Sequence, residues 1–489
     1  MNAQTKIMAW PADPSDLLEL ALWDAVAIAR ATGGVAVGEF QVSGVEIDSR
    51  DVVPGDLFFA LKGEAMDGHR FVEAAFAKGA AAVVVDRPVD GPHVLVNDTN
   101  AALIKLAKAA RQRADATIIG VTGSVGKTGV KEAIFAALDR SSRGAAHRSV
   151  KSYNNHVGVP LSLTRMAARS KFGVFEMGMN HAGEISALTA QVRPNVAVIT
   201  TIAPAHIENL GSEEAIADAK AEIFEGLEPG GTAIIPADSP HYARIKAAAD
   251  QLGVATISFG RRADADVRLL DAVPAPGGGS LVTADLGDRR VCYTVAEPGE
   301  HWIANSLAVM AAVRAAGGDL GAAGLALAEM EGLKGRGQRI TLAAKGGDGS
   351  GRALLIDESY NANPASMRAT LAQLGVTHAK RRIAVLGAMK ELGEHGPAYH
   401  AALAGPIAAS GADYVVLVGA EMQALADEMG KDAASALGKG TRFAHCGTAA
   451  DALKVLGAYG VAGGDAVLVK GSNSVGLGAL VAALTQHKE

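Results

Sequence analysis

The 489 residues carry 46 Lys+Arg against 52 Asp+Glu, a formal net charge of −6, with 49% hydrophobic and 20% charged side chains. This composition belongs to a globular chain long enough for about three domains, and it excludes a disordered, collagenous or disulfide-stapled protein. A mildly acidic total also argues against a nucleic-acid binder that works by bulk charge, although a few local donors can still bind phosphate.

The first residues lack the basic start and apolar stretch of a secretory signal, and no apolar run reaches about 18 residues. A cytoplasmic monomer is expected, without stable membrane insertion and without a nucleic-acid partner. Cys292 and Cys446 stand far apart in no zinc or redox spacing, and read as idle thiols.

In chain order, residues 1–113 show short strands, the run Gly55-Asp-Leu-Phe-Phe-Ala-Leu61 and Gly-rich turns. Apolar runs at 117–122, 172–177, 196–202 and 231–236 then alternate with helical stretches, as in a parallel sheet covered on both faces. Residues 267–295 read as a β-rich excursion on that unit. A second series of apolar runs occupies 353–357, 382–387, 414–419 and 466–470. The expectation is an α/β protein of three domains, 1–113, 114–333 and 334–489.

The sharpest local signal is Gly120-Val-Thr-Gly-Ser-Val-Gly-Lys-Thr128 between a strand and a helical pattern. It is read as a phosphate loop, G-x-x-x-x-G-K-[ST], opened by Gly120 and closed by Gly126-Lys127-Thr128. Glycines such as Gly123 and Gly126, with Ser124 between them, let backbone N–H groups surround phosphate oxygens at a helix N-terminus. Lys127 is then expected at the terminal phosphates of ATP or GTP, and the Thr128 hydroxyl at Mg²⁺. No guanine-reading N-K-x-D follows. Glu176, at the end of the next strand, is a candidate Mg²⁺ ligand.

The segment 212–227 predicts a helix capped by Ser212, with Ile216, Ile223, Phe224 and Leu227 on its apolar face. Lys220 falls inside that stripe. Spacing alone allows a snorkelling lysine at the stripe's edge. The alternative is a buried amine kept neutral, which can add CO₂ to become a carbamate, an oxygen ligand suited to Mg²⁺. With His206 in the preceding loop and Glu176, it makes a second metal site plausible.

Together these residues resemble the Mur ligases, ATP-dependent amide-forming enzymes of peptidoglycan precursor synthesis. The likeness runs through Asp48-Ser-Arg50, Asp67-Gly-His69, the phosphate loop, Tyr153-Asn-Asn-His-Val-Gly-Val-Pro160, Glu176-Met-Gly-Met-Asn180, His206 and Ala219-Lys-Ala-Glu-Ile223. It continues through His301-Trp-Ile-Ala-Asn305, Gly335-Arg-Gly337, Ile356-Asp-Glu-Ser-Tyr-Asn-Ala-Asn-Pro364 and Val469-Lys-Gly-Ser472. Glu300, Glu358 and Asn473 depart from common family residues. The resemblance implies an N-terminal α/β UDP-sugar-binding domain, a central P-loop ATPase-like domain with a parallel sheet and a C-terminal Rossmann-like ligase domain. The Asp-x-Ser-Tyr-Asn-Ala-Asn-Pro stretch is similar to members that add D-Ala-D-Ala to UDP-N-acetylmuramoyl-tripeptide. Another Mur-type amino-acid ligase, or a folylpolyglutamate-synthase-like ligase, is the alternative.

By that resemblance Lys127 and Thr128 hold the triphosphate of ATP and a first Mg²⁺ with Glu176. His206 and carbamylated Lys220 serve a second Mg²⁺. Lys127, Lys220 and His206 are the implied catalytic residues. Asn305 packs near the adenine with His301 close by, Arg336 reaches a phosphate and Asp357 contacts the ribose. Ser49 and Arg50 read the uridine diphosphate end, and Asn155 is a substrate contact.

Overall fold

The computed structural model describes residues 21–63, 66–205, 207–276, 278–344, 346, 351–433 and 441–486. The chain forms two compact units. The first takes residues up to Thr117 together with Ala145–Phe175 and Ala190–Val192, and the second takes the remainder.

The first unit is built on a five-stranded sheet. Its strands run in the order Val35–Val37, His93–Leu95, Ala82–Val85, Asp56–Phe59 and Gly44–Glu46. All neighbours are parallel except the antiparallel edge pair Val35–Val37 and His93–Leu95. Successive strand side chains point to opposite faces. Leu57, Phe59, Ala82 and Val84 therefore pack with Trp23, Ile28, Leu103 and Leu106, while Phe58, Val83 and Val85 pack with Val52, Val72 and Ala75. Asp98 caps the helix Thr99–Arg113 by accepting from the N–H groups of Asn100 and Ala101. Leu161, from the helix Gly158–Thr164, joins the same core as Leu103 and Leu106. That shared core draws Ala145–Phe175 into this unit, although in sequence it follows the phosphate loop.

The second unit contains two sheets. Strand Val196–Ile199 pairs in parallel with Thr117–Thr122 on one side and Thr232–Pro236 on the other, and Ala255–Gly260 continues the parallel run. The predicted β-rich excursion is an extension of this sheet. Val267–Pro274 begins parallel to Ala255–Gly260, then Ser280–Asp285 and Arg290–Val295 follow as antiparallel neighbours. The other sheet runs Gln338–Ala343, Arg352–Glu358, Asp465–Lys470, Arg381–Gly387, Tyr414–Val418 and Arg442–Cys446. Only Gln338–Ala343 is antiparallel to its neighbour. Leu355, Ile383, Val385, Val416, Val467 and Val469 form its core against Leu456, Leu477 and Leu480.

These parallel sheets decide where chemistry can sit. In open α/β sheets, ligands gather at the carboxyl ends of the strands. The loop after Thr117–Thr122, Thr200 after Val196–Ile199, Glu358 and Lys470 all lie at such ends. Both cysteines are free, Cys446 buried and Cys292 exposed. Among the described residues no helix is long and apolar enough to cross a membrane.

Candidate active site

The chain leaves strand Thr117–Thr122, turns at Gly123 (φ 146°) and Gly126 (φ 89°), and enters helix Lys127–Ser142. Both glycines adopt a backbone region that side chains disfavour. A Cβ on Gly123 would stand 1.9 Å from Thr200 Oγ1, and one on Gly126 would stand 2.9 Å from Asn305 Nδ2. Gly120 plays no part in the turn, which corrects the expected motif. Five residues separate it from Gly126, one more than the G-x-x-x-x-G spacing allows, and it lies inside the strand. The turn opens at Gly123 because that is where the strand ends.

The loop is tied to the exit of the neighbouring strand. Ser124 N–H donates to Thr201 O at 2.8 Å, and Ser124 Oγ donates to Ala203 O at 2.9 Å. Thr200 Oγ1 donates to Val125 O at 2.5 Å. The Lys127 ammonium folds back over the turn and donates to Gly123 O at 2.6 Å. Burial holds it below its ordinary pKa, Glu176 pulls it back up, and the charge of Arg336 pushes it down again. Thr200, which the sequence did not single out, braces this turn. Its signal was a hydroxyl pair, Thr200-Thr201, closing an otherwise apolar strand.

Thr128 Oγ1 donates to Glu176 Oε2 at 2.8 Å, and both residues are buried. A hydroxyl and a carboxylate oxygen brought together at a helix start are hard donors of the type that Mg²⁺ takes. The predicted lysine helix spans Glu213–Ala221, followed by a tighter turn over Glu222–Gly226. Ser212 caps it, accepting from Ala215 N–H at 3.1 Å. Lys220 is only 2% exposed, between buried Ile216, Ile223 and Phe224. Burial and the charge of Lys127 drive its pKa well below the ordinary lysine value, so a neutral amine is favoured. No hydrogen bond or ion pair joins its ammonium to another described residue. His206 lies outside the described residues.

The turn before strand Gln338–Ala343 carries Arg336, whose charge is one of the causes that lower the Lys127 pKa. Asn305, on helix Glu300–Ala315, is buried against Gly126, at the phosphate-loop end of the site. His301 sits one turn earlier, its pKa lowered by burial against the opposing pull of Glu358. Asp357, expected at the ribose, is 1% exposed. It accepts from Gly335 N–H at 2.9 Å, Ser359 N–H at 3.1 Å and Ser359 Oγ at 2.6 Å. It organises the turn that presents Arg336. Lys470 Nζ donates to Glu358 Oε2 and to Asn361 O, both at 3.1 Å. Glu300, the departure before His301, pairs with Arg261.

Glu297 went unnoticed in the sequence, where an acid in Ala296-Glu-Pro-Gly299 looks like an ordinary loop residue. It is 7% exposed, and its carboxyl pKa is pushed up to about 7 by burial and by the neighbouring Glu358 charge, against Arg339. The two carboxylates flank Gly337.

In the first unit Ser49 is buried and Arg50 is exposed. The Arg50 guanidinium grips Asp48 through Nε–Oδ1 at 2.9 Å and Nη2–Oδ2 at 2.6 Å, which lowers the Asp48 pKa to about 2. Lys78 donates to Arg50 O, and Lys151 pairs with Asp51 at 2.8 Å. Asn155 Oδ1 accepts from Val157 and Gly158 N–H groups at 3.2 and 2.9 Å, starting the helix Gly158–Thr164.

Three family models match this chain: the Mur ligase family catalytic domain over 41–117, the Mur ligase middle domain over 121–313, and the Mur ligase glutamate ligase domain over 339–473. The UDP-N-acetylmuramoyl-tripeptide–D-alanyl-D-alanine ligase of Synechocystis sp. is 38% identical and covers 91% of this chain and 92% of its own length. The protein of the same name from Escherichia coli is 34% identical, over 93% and 96%. A crystal structure of MurF from Acinetobacter baumannii superposes with a TM-score of 0.79 at 30% identity, covering 95% of this chain and 99% of that one.

Replacing Gly123 by Ala should weaken ATP binding about tenfold or more in calorimetric titration, because the new methyl meets Thr200 in a backbone region it disfavours. Unaltered affinity would show that this turn is not the phosphate cradle. Glu297 has its folded pKa raised above the ordinary 4.5, so the stability linked to its proton is complete below pH 4.5 and is lost as pH rises through about 7. Glu297→Gln should therefore match the parent in urea unfolding at pH 4.5 and exceed it by up to about 3 kcal/mol at pH 8. Parallel stability curves for the two proteins would contradict a buried, proton-holding acid.

Proposed function

The chain belongs to the Mur ligase family, and from that premise we propose that it joins D-Ala-D-Ala to UDP-N-acetylmuramoyl-tripeptide at the expense of ATP, in peptidoglycan precursor synthesis. The curated relatives that cover nearly all of this chain carry that activity in their names. A MurF from Thermotoga maritima was crystallised with ADP and superposes with a TM-score of 0.71 at 25% identity, over 91% of this chain and 97% of that one. The three stretches 1–113, 114–333 and 334–489 are proposed as the UDP-sugar, ATP and C-terminal ligase domains.

The observation that carries the reading is a crowd of like charges. Burial disfavours the charged form of both Lys127 and Lys220; the Arg336 charge adds to this at Lys127, the Lys127 charge adds to it at Lys220, and Glu176 is the acid that opposes it at Lys127. A protein gains nothing from such crowding by itself. A triphosphate at the N-terminus of helix Lys127–Ser142 would relieve it.

Forming an amide from a free carboxylate requires activation, since the carboxylate is a poor electrophile. A carboxylate oxygen of the tripeptide attacks the γ-phosphorus, the bond to the ADP oxygen breaks, and an acyl phosphate results. The amine of D-Ala-D-Ala, having lost a proton, attacks the acyl carbon. The tetrahedral adduct then expels inorganic phosphate. Lys127 and Arg336 neutralise charge that builds on the transferring group, and the loop from Gly123 to Gly126 positions it through backbone N–H groups. Asn305 and His301 line the nucleotide, while Ser49, Arg50 and Asn155 serve the UDP-linked substrate. Thr128 and Glu176 have the oxygen donors to hold one Mg²⁺, and His206 with a carbamylated Lys220 would hold a second. Bound there, the ions would offset repulsion between the substrate acid and the γ-phosphate.

ADP release with UDP-N-acetylmuramoyl-tripeptide should depend on added D-Ala-D-Ala, and Lys127→Ala should abolish ligated product. Near-normal turnover in that variant, or indifference to the dipeptide, would refute the reading. Lys220→Ala should lose most activity and regain part of it with added short carboxylates, as expected if a carbamate oxygen is what the site lacks. Activity that survives the substitution would remove the carbamate.

A further inference from the structure

Strand Arg352–Glu358 runs out through Ser359 and Tyr360, and the short turn carrying Arg336 lies against it. Three hydrogen bonds fuse the two segments. Gly335 N–H donates to Asp357 Oδ2 at 2.9 Å, Gly337 N–H to Asp357 O at 2.9 Å, and Tyr360 N–H to Gly335 O at 3.0 Å. Arg336 N–H closes its own turn on Leu333 O at 2.7 Å. Gly335 has a φ of 72°, and a Cβ there would stand 2.9 Å from Tyr360 Cβ, so the segments touch with no room for a side chain between them.

On this fused base the Arg336 guanidinium carbon lies 4.0 Å from the centre of the Tyr360 ring. The guanidinium lies over the face of the ring. A cation–π contact engages the π-face of the ring and uses no N–H donor, so it can fix the position of a guanidinium without taking a hydrogen bond from it. The ring is 39% exposed, and among the described residues its hydroxyl makes no hydrogen bond. The ring face, not the hydroxyl, is what the structure uses.

We propose that Tyr360 is a positioning residue of the ligase reaction, a platform that holds the Arg336 guanidinium toward the phosphate loop so that its N–H edge meets the triphosphate. This deepens the reading of the site given above and rests on the role assigned there to Arg336. Unstacked, a long arginine side chain samples many rotamers, of which few present that edge. Asp357 supports the same device from beneath, through the backbone it clamps.

The test is a mutant cycle measured by ADP release with ATP, UDP-N-acetylmuramoyl-tripeptide and D-Ala-D-Ala, with thermal melting as the control for folding. Tyr360→Phe should keep turnover within about twofold, and Tyr360→Leu should lower kcat about tenfold with little change in melting temperature. In an Arg336→Ala background, adding Tyr360→Leu should cost nothing more, because the platform then has no cargo. Added guanidinium ion should partly restore Arg336→Ala and fail to restore the double variant. A tenfold loss from Tyr360→Leu that persists in the Arg336→Ala background would overturn the platform, as would a Tyr360→Phe variant as slow as Tyr360→Leu. Normal turnover of Arg336→Ala alone would sink the assignment of Arg336 itself, and so separates the two failures.

Discussion

Burial penalises a charge on Lys127 and on Lys220, the Arg336 charge adds to this at Lys127 and the Lys127 charge adds to it at Lys220, so the placement of these groups has to be enforced by everything around them. Each arrives on a different device. Lys127 opens a helix, Lys220 is planted in the apolar stripe of another, and Arg336 stands on a turn clamped by a buried carboxylate. None of these has a local reason to approach the others. The packing of the sheets and helices pays for the approach, and binding a polyanion returns it. This is electrostatic preorganisation in its simplest form: charge placed before the ligand arrives, so that no rearrangement is needed when negative charge shifts during reaction.

The two sheets of the second unit contribute by the same rule. Parallel strands direct their carboxyl ends to one edge, and the loops leaving that edge carry the functional groups. From the phosphate-loop sheet come Gly123, Ser124 and Thr200. From the other come Asp357, Glu358 and Lys470, with Ser472 accepting from Lys390 N–H at 3.0 Å to tie two of its loops together. Buried polar groups here are mostly spent on one another. Thr200 braces the phosphate loop, Asp357 braces the Arg336 turn, and the ion pair between Lys470 and Glu358 braces the strand ends.

Glu297 is the exception. Burial of its carboxyl outweighs the opposing charge of Arg339, and Glu358 adds to the shift, so its pKa rises to about 7. Its neighbour Glu358 is one of the positions where this chain departs from common members of the family. Glu358 is paired with Lys470, and its charge disfavours a second negative charge beside Gly337.

The order of strands and helices, the phosphate loop with Lys127 and Thr128, and the anomaly of Lys220 were all readable in the residues. Each follows from local rules: apolar runs of strand length, a glycine turn before a helix, a charge inside an apolar stripe. Glu176 followed from its place at a strand end, and the family motifs extended this to Asn305 and Arg336. Partnership across distance was not readable, because it depends on which strand ends are brought side by side. Thr200 beneath Gly123, Tyr360 under Arg336, the inward turn of Asp357 and the raised pKa of Glu297 arise from segments tens of residues apart. So does the joining of Ala145–Phe175 to the first unit, through a core that Leu161 shares with Leu103. Residue type sets what a side chain can do, and its neighbours in three dimensions set its charge, its direction and whether it meets a ligand or holds a residue that does.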